Sequence, residues 1–308
     1  SGGGLCRVLR VGFLNVNGLS CAKRDPHPIK FQFLSSLLIQ HDVLALSETR
    51  TNDLSRLAPC MRGHVVVCKT DGQAGKPGTG LAVLARPHVA DHMCVFHVTD
   101  FSVWLHVNKH LWGLDDDVML GAVYIPPQST HFHPSRVSEH YMTLFDEVLA
   151  ASQVTPNIFL MGDFNAKLGT LDEVADDQLH LLHAFPCLQN RRMSEFSDVN
   201  CAGTFLADLA MAAGLLICTG RTPGDKGQAT YFLRRQDKCT PCSRPDHIVL
   251  SPLLFGALQQ CTINPMVPPF DHASISADFQ VTREMLPNID WHTPRHVCKP
   301  GGCGERLT

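Results

Sequence analysis

Short apolar runs of strand length recur along this 308-residue chain, and they limit its possible folds more than any other feature. Arg7–Asn15 and Asp42–Ser47 are two such runs near the start. Between them, Ile29–Gln40 has apolar residues at helical spacing, directly after Pro28. This order predicts a strand, a helix and a second strand, a unit in which the helix packs over the sheet as a separate layer.

The middle of the chain has a different pattern. From Gly63 to Val123, strand-like runs are separated by Gly- and Asp-rich turns, which predicts a meander of paired strands. Helices are predicted at about Ser138–Ala151 and Gly203–Gly214. Further strands are predicted at Asn157–Met161, Leu215–Thr219, Ala229–Leu233, His247–Leu250 and Ser274–Val281. The whole pattern favours an α/β (α+β) four-layer sandwich of two packed, mostly antiparallel sheets flanked by helices.

The sequence predicts one domain over residues 1–282, followed at 283–308 by a polar tail or the start of a linker. No apolar run approaches the roughly 18–20 residues that span a bilayer, and Ser1–Gly4 lacks the features of a secretion signal. We therefore expect no membrane segment. The net charge of −3 does not by itself indicate nucleic acid, but carboxylates gathered for a metal would offset basic residues elsewhere.

The thirteen cysteines are an odd number, so they cannot all form disulfides within the chain. Most lie inside apolar stretches, as Cys68, Cys94, Cys218 and Cys261 do, where a reduced thiol acts as a small hydrophobic side chain. This usage favours a reducing, intracellular compartment.

Polar residues follow the apolar runs at the points where the predicted strands end. Any one of them is usually a turn former, and His247 alone is better explained as a structural histidine. Together they supply what a hydrolytic metal site needs: carboxylates for a hard cation, a carboxylate–histidine pair, and amides and a phenol for an anion. We expect them to meet in one cleft. The residues are Asn15, Asn17, Glu48, Tyr124, Asp163, Asn165, Asp246, His247, Asp271 and His272.

Six blocks in this order resemble the exonuclease–endonuclease–phosphatase superfamily. They are NVNGL at 15–19, SET at 47–49, YIPP at 124–127, GDFNA at 162–166, RPDHIVLS at 244–251 and DHASI at 271–275. Within the superfamily, the chain is most similar to the apurinic-endonuclease-like endonuclease domain of non-LTR retrotransposons. The resemblance runs from Arg7 to about Gln280.

The resemblance implies a site for Mg²⁺, for which Mn²⁺ can substitute. Glu48 would be the principal ligand, Asn15 would lie nearby, and Asp271 would share the ion, with Asn17 in the same shell. Asn17 stands where abasic-site repair enzymes commonly have Asp, which favours the retroelement branch.

The resemblance also implies roles in phosphodiester hydrolysis. Asp163 would orient or deprotonate the attacking water, and Asn165 would hold a phosphate oxygen. His272, paired with Asp246, would stabilise the negative charge of the transition state, and Tyr124 would contact the phosphate or its leaving oxygen. The expected products are a 3′-hydroxyl and a 5′-phosphate. One departure from the family is Phe270, since a small residue usually precedes the last Asp-His. A bulky side chain there would narrow the cleft or alter phosphate contacts, and either would lower turnover.

The hairpin Leu233–Arg244 would enter the DNA minor groove, after the strand that contains Thr230. Cations in a narrow groove read its shape, but a solvated basic loop explains the same sequence. The candidate DNA-binding residues are Thr230, Arg234, Arg235, Lys238, Arg244, Arg191 and Arg192, with Lys76 in a glycine-rich loop open to the same two interpretations.

Cys239 and Cys242 in the hairpin form half of a possible zinc site. His180, His183 and Cys187, or Cys298 and Cys303, would have to complete it. A plain turn between two strands explains the pair better, so structural zinc is not expected.

Three functions remain open at this point. The first is an endonuclease that nicks double-stranded DNA to start target-primed reverse transcription, acting in the nucleus by analogy. It would be a monomer as an isolated domain and fused in the natural chain to a reverse transcriptase. The second is a cellular member of the superfamily, either an abasic-site repair endonuclease or another phosphodiesterase or phosphatase. The third is a catalytically silent DNA-binding module.

Overall fold

The strand–helix–strand unit at the start of the chain is present in the computed structural model. It describes residues 6–19, 28–58, 61, 63–73, 78–127, 134–174, 182, 189, 191–235, 238–268 and 270–282. Strand β1 (Cys6–Asn15), helix α1 (Pro28–Gln40) and strand β2 (Val43–Ser47) follow one another, and β1 pairs with β2 in parallel.

The remaining elements alternate between strands and helices. They are β3 (Val65–Lys69), β4 (Leu81–Ala85), α2 (Pro87–Ala90), β5 (Met93–Val98), β6 (Ser102–Val107), α3 (Lys109–Trp112), β7 (Val118–Tyr124), α4 (Pro134–Ser152), β8 (Asn157–Asp163), α5 (Cys201–Ala212), β9 (Leu216–Ile217), β10 (Tyr231–Arg235), β11 (Lys238–Ser243), β12 (Asp246–Leu250), α6 (Pro252–Phe255), β13 (Leu258–Ile263) and β14 (Ile275–Thr282). A 3₁₀ turn at Leu54–Leu57 lies between β2 and β3.

The strands form two six-stranded sheets and a separate hairpin. The first sheet has the order β13-β14-β1-β2-β4-β3, and the second has the order β5-β6-β7-β8-β12-β9. Each sheet contains one parallel pair, β1 with β2 and β7 with β8, and its other pairs are antiparallel. Strands β10 and β11 form a two-stranded hairpin, and Tyr231 of β10 also makes a single antiparallel bridge to His272.

Three apolar clusters hold four layers together. The largest lies between the two sheets and contains residues from both, such as Val11 and Phe159. A second cluster packs α4 and α5 against the second sheet, and a third packs α1 against the first sheet. Burial of alternate strand residues on both faces explains why the strands are such continuous apolar runs. The predicted four-layer sandwich is confirmed.

The structure differs from the sequence prediction at two strands. Strand β13 was not predicted, because the exposed Gln259 and Gln260 interrupt the apolar pattern of this edge strand. The strand predicted at Leu215–Thr219 contains only two paired residues, those of β9. The predicted tail from 283 onward lies outside the described residues. Among the helices that are described, none combines the length and apolarity needed to cross a membrane.

Candidate active site

The ends of neighbouring strands bring the predicted polar residues to one edge of the sandwich. In the second sheet, Tyr124 is paired with Asp163 across β7 and β8, and Asp163 is paired with Asp246 across β8 and β12. In the first sheet, Asn15 at the end of β1 lies beside Ser47, the residue before Glu48. Register alone therefore places these side chains together.

Asn15 joins the two sheets within this edge. Its buried amide nitrogen donates to Glu48 Oε1 at 3.1 Å and to Asp163 Oδ2 at 2.9 Å. The backbone N–H of Asn17 donates to Asn15 Oδ1 at 2.9 Å, which fixes the orientation of the Asn15 amide. The contact positions carboxylates from both sheets around one point.

Glu48 is held by donors on several sides. Its backbone is in the left-handed region, with φ of 51°, where the chain leaves β2. Glu48 Oε2 accepts from Arg50 Nε at 3.2 Å, from Arg50 Nη2 and from the N–H of Gly78 at 3.1 Å. Burial alone would raise the pKa of Glu48, but the hydrogen bonds from Arg50 and Asn15 outweigh it and lower the pKa. Sequence reasoning missed Arg50, whose signal is a cation two residues after a strand-end carboxylate.

Asp163 is the most perturbed carboxylate of the group. Burial, and next the negative charge of Asp246, raises the pKa of Asp163 to about 7. Its Oδ1 accepts from the N–H of Asn165 at 3.0 Å, and the Asn165 side chain donates to Ile125 O at 2.8 Å. Burial and the charges of Glu48 and Asp163 raise the pKa of Tyr124, so its phenol stays protonated.

Asp246 and His272 form the carboxylate–histidine pair that the resemblance implied. Nδ1 of His272 lies 2.9 Å from Asp246 Oδ2, and its Nε2 faces Asp163 Oδ2 at 4.0 Å. Burial would lower the pKa of His272, but the charge of Asp246 and this hydrogen bond raise it to about 10. The imidazolium therefore points its second N–H toward Asp163. His247, in contrast, is buried between Ala166 O and Thr219 Oγ1 and acts structurally.

The donor set fits a hard divalent cation. Among the described residues, Asp246 Oδ1 and Asp271 Oδ1 are buried oxygens without a hydrogen-bond partner, which is costly unless a cation or water satisfies them. Carboxylate oxygens of Asp163 and Asp246 and a ring nitrogen of His272 lie within 4.8 Å of one another, but the protonated His272 cannot itself be a ligand, so the carboxylates supply the oxygens. Glu48 and Asp271 flank this group through Asn15 and Asn17, whose amide donates to Asp271 Oδ2 at 2.5 Å. Oxygen ligands of this kind suit Mg²⁺ or Mn²⁺.

Phe270 does not narrow the cleft, which corrects the expectation from sequence. Its side chain is fully buried in the cluster between α1 and the first sheet, with its ring 5.3 Å from that of Phe33. The Lys30 ammonium lies 5.2 Å from the ring centre. Phe270 therefore anchors the segment before Asp271 from behind.

The β10–β11 hairpin is attached directly to the segment that carries His272. Phe232 N donates to Asp271 O at 2.8 Å, and Ala273 N donates to Thr230 O at 2.7 Å. Arg234, Arg235 and Lys238 near the hairpin tip are exposed. They lie on an element that emerges beside the candidate active site.

The structure does not support DNA contacts for three other predicted residues. Arg192 is buried and pairs with Glu173, and the buried Arg244 donates to Asp225 and to Met193 O. Thr230 is buried beneath the hairpin, where its hydroxyl lies 3.4 Å from Asp246 N. The hydrogen-bonding groups of these side chains are used in contacts inside the protein, and sequence spacing does not reveal whether a side chain points inward. Arg191 is exposed.

Cys239 and Cys242 are free thiols. In the described part of the chain they belong to no group of metal-ligating side chains, since the group found there is Asp163, Asp246 and His272. The residues proposed to complete a zinc site, His180, His183, Cys187, Cys298 and Cys303, lie outside the described residues, as does Lys76.

Comparison with known proteins identifies the class. The sequence model of the endonuclease/exonuclease/phosphatase family matches residues 12–268, and the chain belongs to this family. The match ends just before Asp271 and His272. A search of curated protein sequences found no match.

Solved structures share the fold at low sequence identity. A 3′–5′ exonuclease, NExo, from Neisseria meningitidis is 18% identical with a TM-score of 0.60, covering 88% of this chain and 99% of that chain. The endonuclease domain of TRAS1, a telomere-specific non-LTR retrotransposon, is 16% identical with a TM-score of 0.55, covering 88% and 98%. The AP endonuclease LMAP from Leishmania major is 12% identical with a TM-score of 0.63, covering 89% and 88%.

Proposed function

We propose that this chain is a Mg²⁺-dependent endonuclease that nicks double-stranded DNA and leaves a 3′-hydroxyl for target-primed reverse transcription. The observation that carries the proposal is the joining of Glu48, Asp163 and the Asp246–His272 pair at one edge, beside an exposed basic hairpin. The sequence blocks NVNGL, SET and GDFNA support the retrotransposon branch. On this proposal, the natural chain continues into a reverse transcriptase and acts in the nucleus.

Each residue has a defined task in the proposed hydrolysis. Mg²⁺ held by Glu48, Asn15 and Asp271 would supply positive charge at the scissile phosphate. Asp163, whose pKa of about 7 matches a general base at neutral pH, accepts a proton from the attacking water. The cationic His272, held by Asp246, stabilises the negative charge that develops on the phosphate.

Two neutral donors complete the arrangement. The phenol of Tyr124 stays protonated and donates to the phosphate or the leaving oxygen. The Asn165 amide uses one hydrogen on Ile125 O, which leaves the second for a phosphate oxygen. Because both side chains are fixed before substrate binds, little reorganisation is needed in the transition state.

The exposed side chains of Arg234, Arg235 and Lys238 support duplex DNA as the substrate. Cations at the tip of a two-stranded ribbon suit a narrow minor groove, whose width and potential depend on sequence. We therefore propose selectivity through DNA shape, with Arg191 as a further phosphate contact.

A cellular repair enzyme is the second candidate. The TM-score to the Leishmania AP endonuclease, 0.63, exceeds the 0.55 to the TRAS1 endonuclease domain. The buried position of Phe270 removes the local reason for the third candidate, a catalytically silent module.

Cleavage rates on matched duplexes distinguish the two enzymatic candidates. An intact 40-base-pair duplex and the same duplex with one abasic site would be compared in Mg²⁺, with end-labelled products. The retrotransposon-type function predicts cutting of the intact duplex at a rate similar to that of the abasic one, with a 3′-hydroxyl end. A preference of a hundredfold or more for the abasic duplex would assign the chain to repair.

A further inference from the structure

The guanidinium of Arg50 is hydrogen-bonded to the carboxylate of Glu48, which the proposed metal site requires as a ligand. Its Nε and Nη2 both donate to Glu48 Oε2, which also accepts from Gly78 N. Glu48 Oε1 accepts from Asn15. Each carboxylate oxygen has about two lone-pair positions, so the three donors at Oε2 fill that oxygen. A cation can bind Glu48 through Oε2 only if one of these three donors leaves.

Among these donors, Arg50 is the one able to leave without disturbing the backbone. Gly78 donates from the main chain, and Asn15 is buried where it links Glu48 to Asp163. The Arg50 side chain is 21% exposed, more than the 13% of Glu48, so its guanidinium reaches the open side of the cleft. A divalent cation bound to Glu48 would also repel the positively charged guanidinium of Arg50 more strongly than the neutral donors Asn15 and Gly78.

The local backbone keeps Arg50 beside the site when its side chain moves. Arg50 is in the left-handed region with φ of 52°, and its N–H donates to Thr79 O at 3.0 Å. Gly18 packs against the Arg50 side chain, since an added Cβ there would lie 3.3 Å from Arg50 Cδ. The guanidinium can therefore swing only over a short arc around the cleft.

We propose that Arg50 and the divalent cation occupy Glu48 in alternation, and that the displaced Arg50 becomes a phosphate clamp. Without metal, Arg50 neutralises Glu48. With metal, its guanidinium is free for two parallel hydrogen bonds to a phosphate oxygen pair, the geometry that arginine favours. Arg50 is thus a substrate-positioning residue whose availability depends on metal. This inference rests on the proposed metal-dependent nuclease function.

The first test measures metal binding without DNA. Arg50→Gln should bind Mn²⁺ roughly tenfold tighter than the parent by calorimetric titration, because a charged competitor for Glu48 is gone. Arg50→Lys should lie between, since it keeps the charge but loses the two-pronged contact. Arg86→Gln is the matched control: Arg86 pairs with Asp42 at the opposite end of the same sheet, and this variant should bind Mn²⁺ as the parent does.

The second test measures duplex DNA binding by fluorescence anisotropy in the inactive Asp163→Asn background. Adding Arg50→Gln should weaken binding about tenfold with Mn²⁺ and leave it unchanged in chelator. Equal Mn²⁺ affinity in Arg50→Gln and Arg86→Gln, with both melting like the parent, would overturn the alternation alone. If the parent itself bound no Mn²⁺, the proposed function would fail together with the inference.

Discussion

Two buried clusters of charged side chains in this molecule differ in how far positive and negative charges match: the first is balanced and the second is not. In the first, Glu173 faces the guanidinium groups of Arg192 and Arg221, and all three side chains are fully buried. Burial would raise the pKa of Glu173, but the two arginines outweigh it and lower the pKa. The remaining donors find partners, such as Arg192 Nε with Leu171 O at 3.1 Å and Arg221 with Asp172 at 2.6 Å.

In comparison, negative charge is in excess in the second cluster, the candidate active site. Asp163, Asp246, Asp271 and Glu48 converge there, and the cations that face them are His272 and Arg50. The pKa of Asp163 is raised to about 7, and two buried carboxylate oxygens of this site, Asp246 Oδ1 and Asp271 Oδ1, lack hydrogen-bond partners among the described residues. A fold does not benefit from such a cluster by itself. The difference teaches that complete pairing marks a structural anchor, whereas missing positive charge marks a site prepared for a cation and a phosphate.

The largest expected effect is on catalysis at the unbalanced cluster. Asp246→Asn should reduce the rate of DNA cleavage by about 10²–10⁴-fold, the usual contribution of acid–base and charge stabilisation. It should also lower the pKa of His272 from about 10, because the charge of Asp246 sustains that value. The alkaline limb of the pH–rate profile, where activity falls as His272 loses its proton, should therefore shift to lower pH. An unchanged rate and profile would show that the pair is only structural.

The balanced cluster should respond in stability instead. Glu173→Gln leaves two buried guanidinium groups without their carboxylate and should lower the free energy of unfolding by about 3–5 kcal/mol. Asp198→Asn, which breaks the exposed pair with Lys167, should cost at most about 1 kcal/mol. Urea denaturation in chelator measures both. The comparison fails if Glu173→Gln is as stable as Asp198→Asn.

The pH dependence of stability should reflect the perturbed pKa values in the candidate active site. The pKa of His272 is raised from 6.5 to about 10. The stability that its positive charge contributes is therefore fully present below pH 6.5 and is lost as pH rises through 10. The pKa of Asp163 is raised from 3.8 to about 7, so its ionisation costs stability as pH rises from about 4 to 7, and no further stability is lost through this group above 7. In chelator, the melting temperature should fall steadily between pH 6 and 10, and less in Asp246→Asn. A flat curve for the parent would contradict these assignments.

The smallest expected effect concerns the basic hairpin. Replacing Arg234, Arg235 and Lys238 together by Gln should weaken duplex binding and reduce the slope of log affinity against log salt by about 0.9 for each lost phosphate contact. Arg86→Gln again serves as the control. An unchanged slope, measured by anisotropy over a salt series, would mean that the hairpin is only a solvated loop.

Much of the fold, and the spatial grouping of the candidate site residues, could be predicted from sequence for a physical reason. Buried strands are continuous apolar runs, so a polar residue such as Asp163 or Asp246 marks the point where a strand reaches the surface. Pairing between neighbouring strands then brings these strand-end residues close to one another. Strand β13 escaped because an edge strand needs no such run.

The remaining features depend on which way a side chain points, and sequence spacing does not encode that. Arg244 was predicted to be a hairpin cation but turns inward to the buried Asp225, a partner that the sequence pattern does not indicate. Phe270 looked like an obstruction but packs behind the site. Arg50 was not singled out from sequence, because its contact with Glu48 depends on the direction of its side chain.

Nicking of supercoiled plasmid tests the central claim most directly. The parent, Asp163→Asn and the Asp198→Asn control would be assayed with Mg²⁺ and with chelator. The account predicts nicking by the parent and Asp198→Asn only when Mg²⁺ is present, and a rate at least about 10²-fold lower for Asp163→Asn. Nicking by Asp163→Asn at the parental rate, or a folded, DNA-binding parent that never cuts, would contradict it.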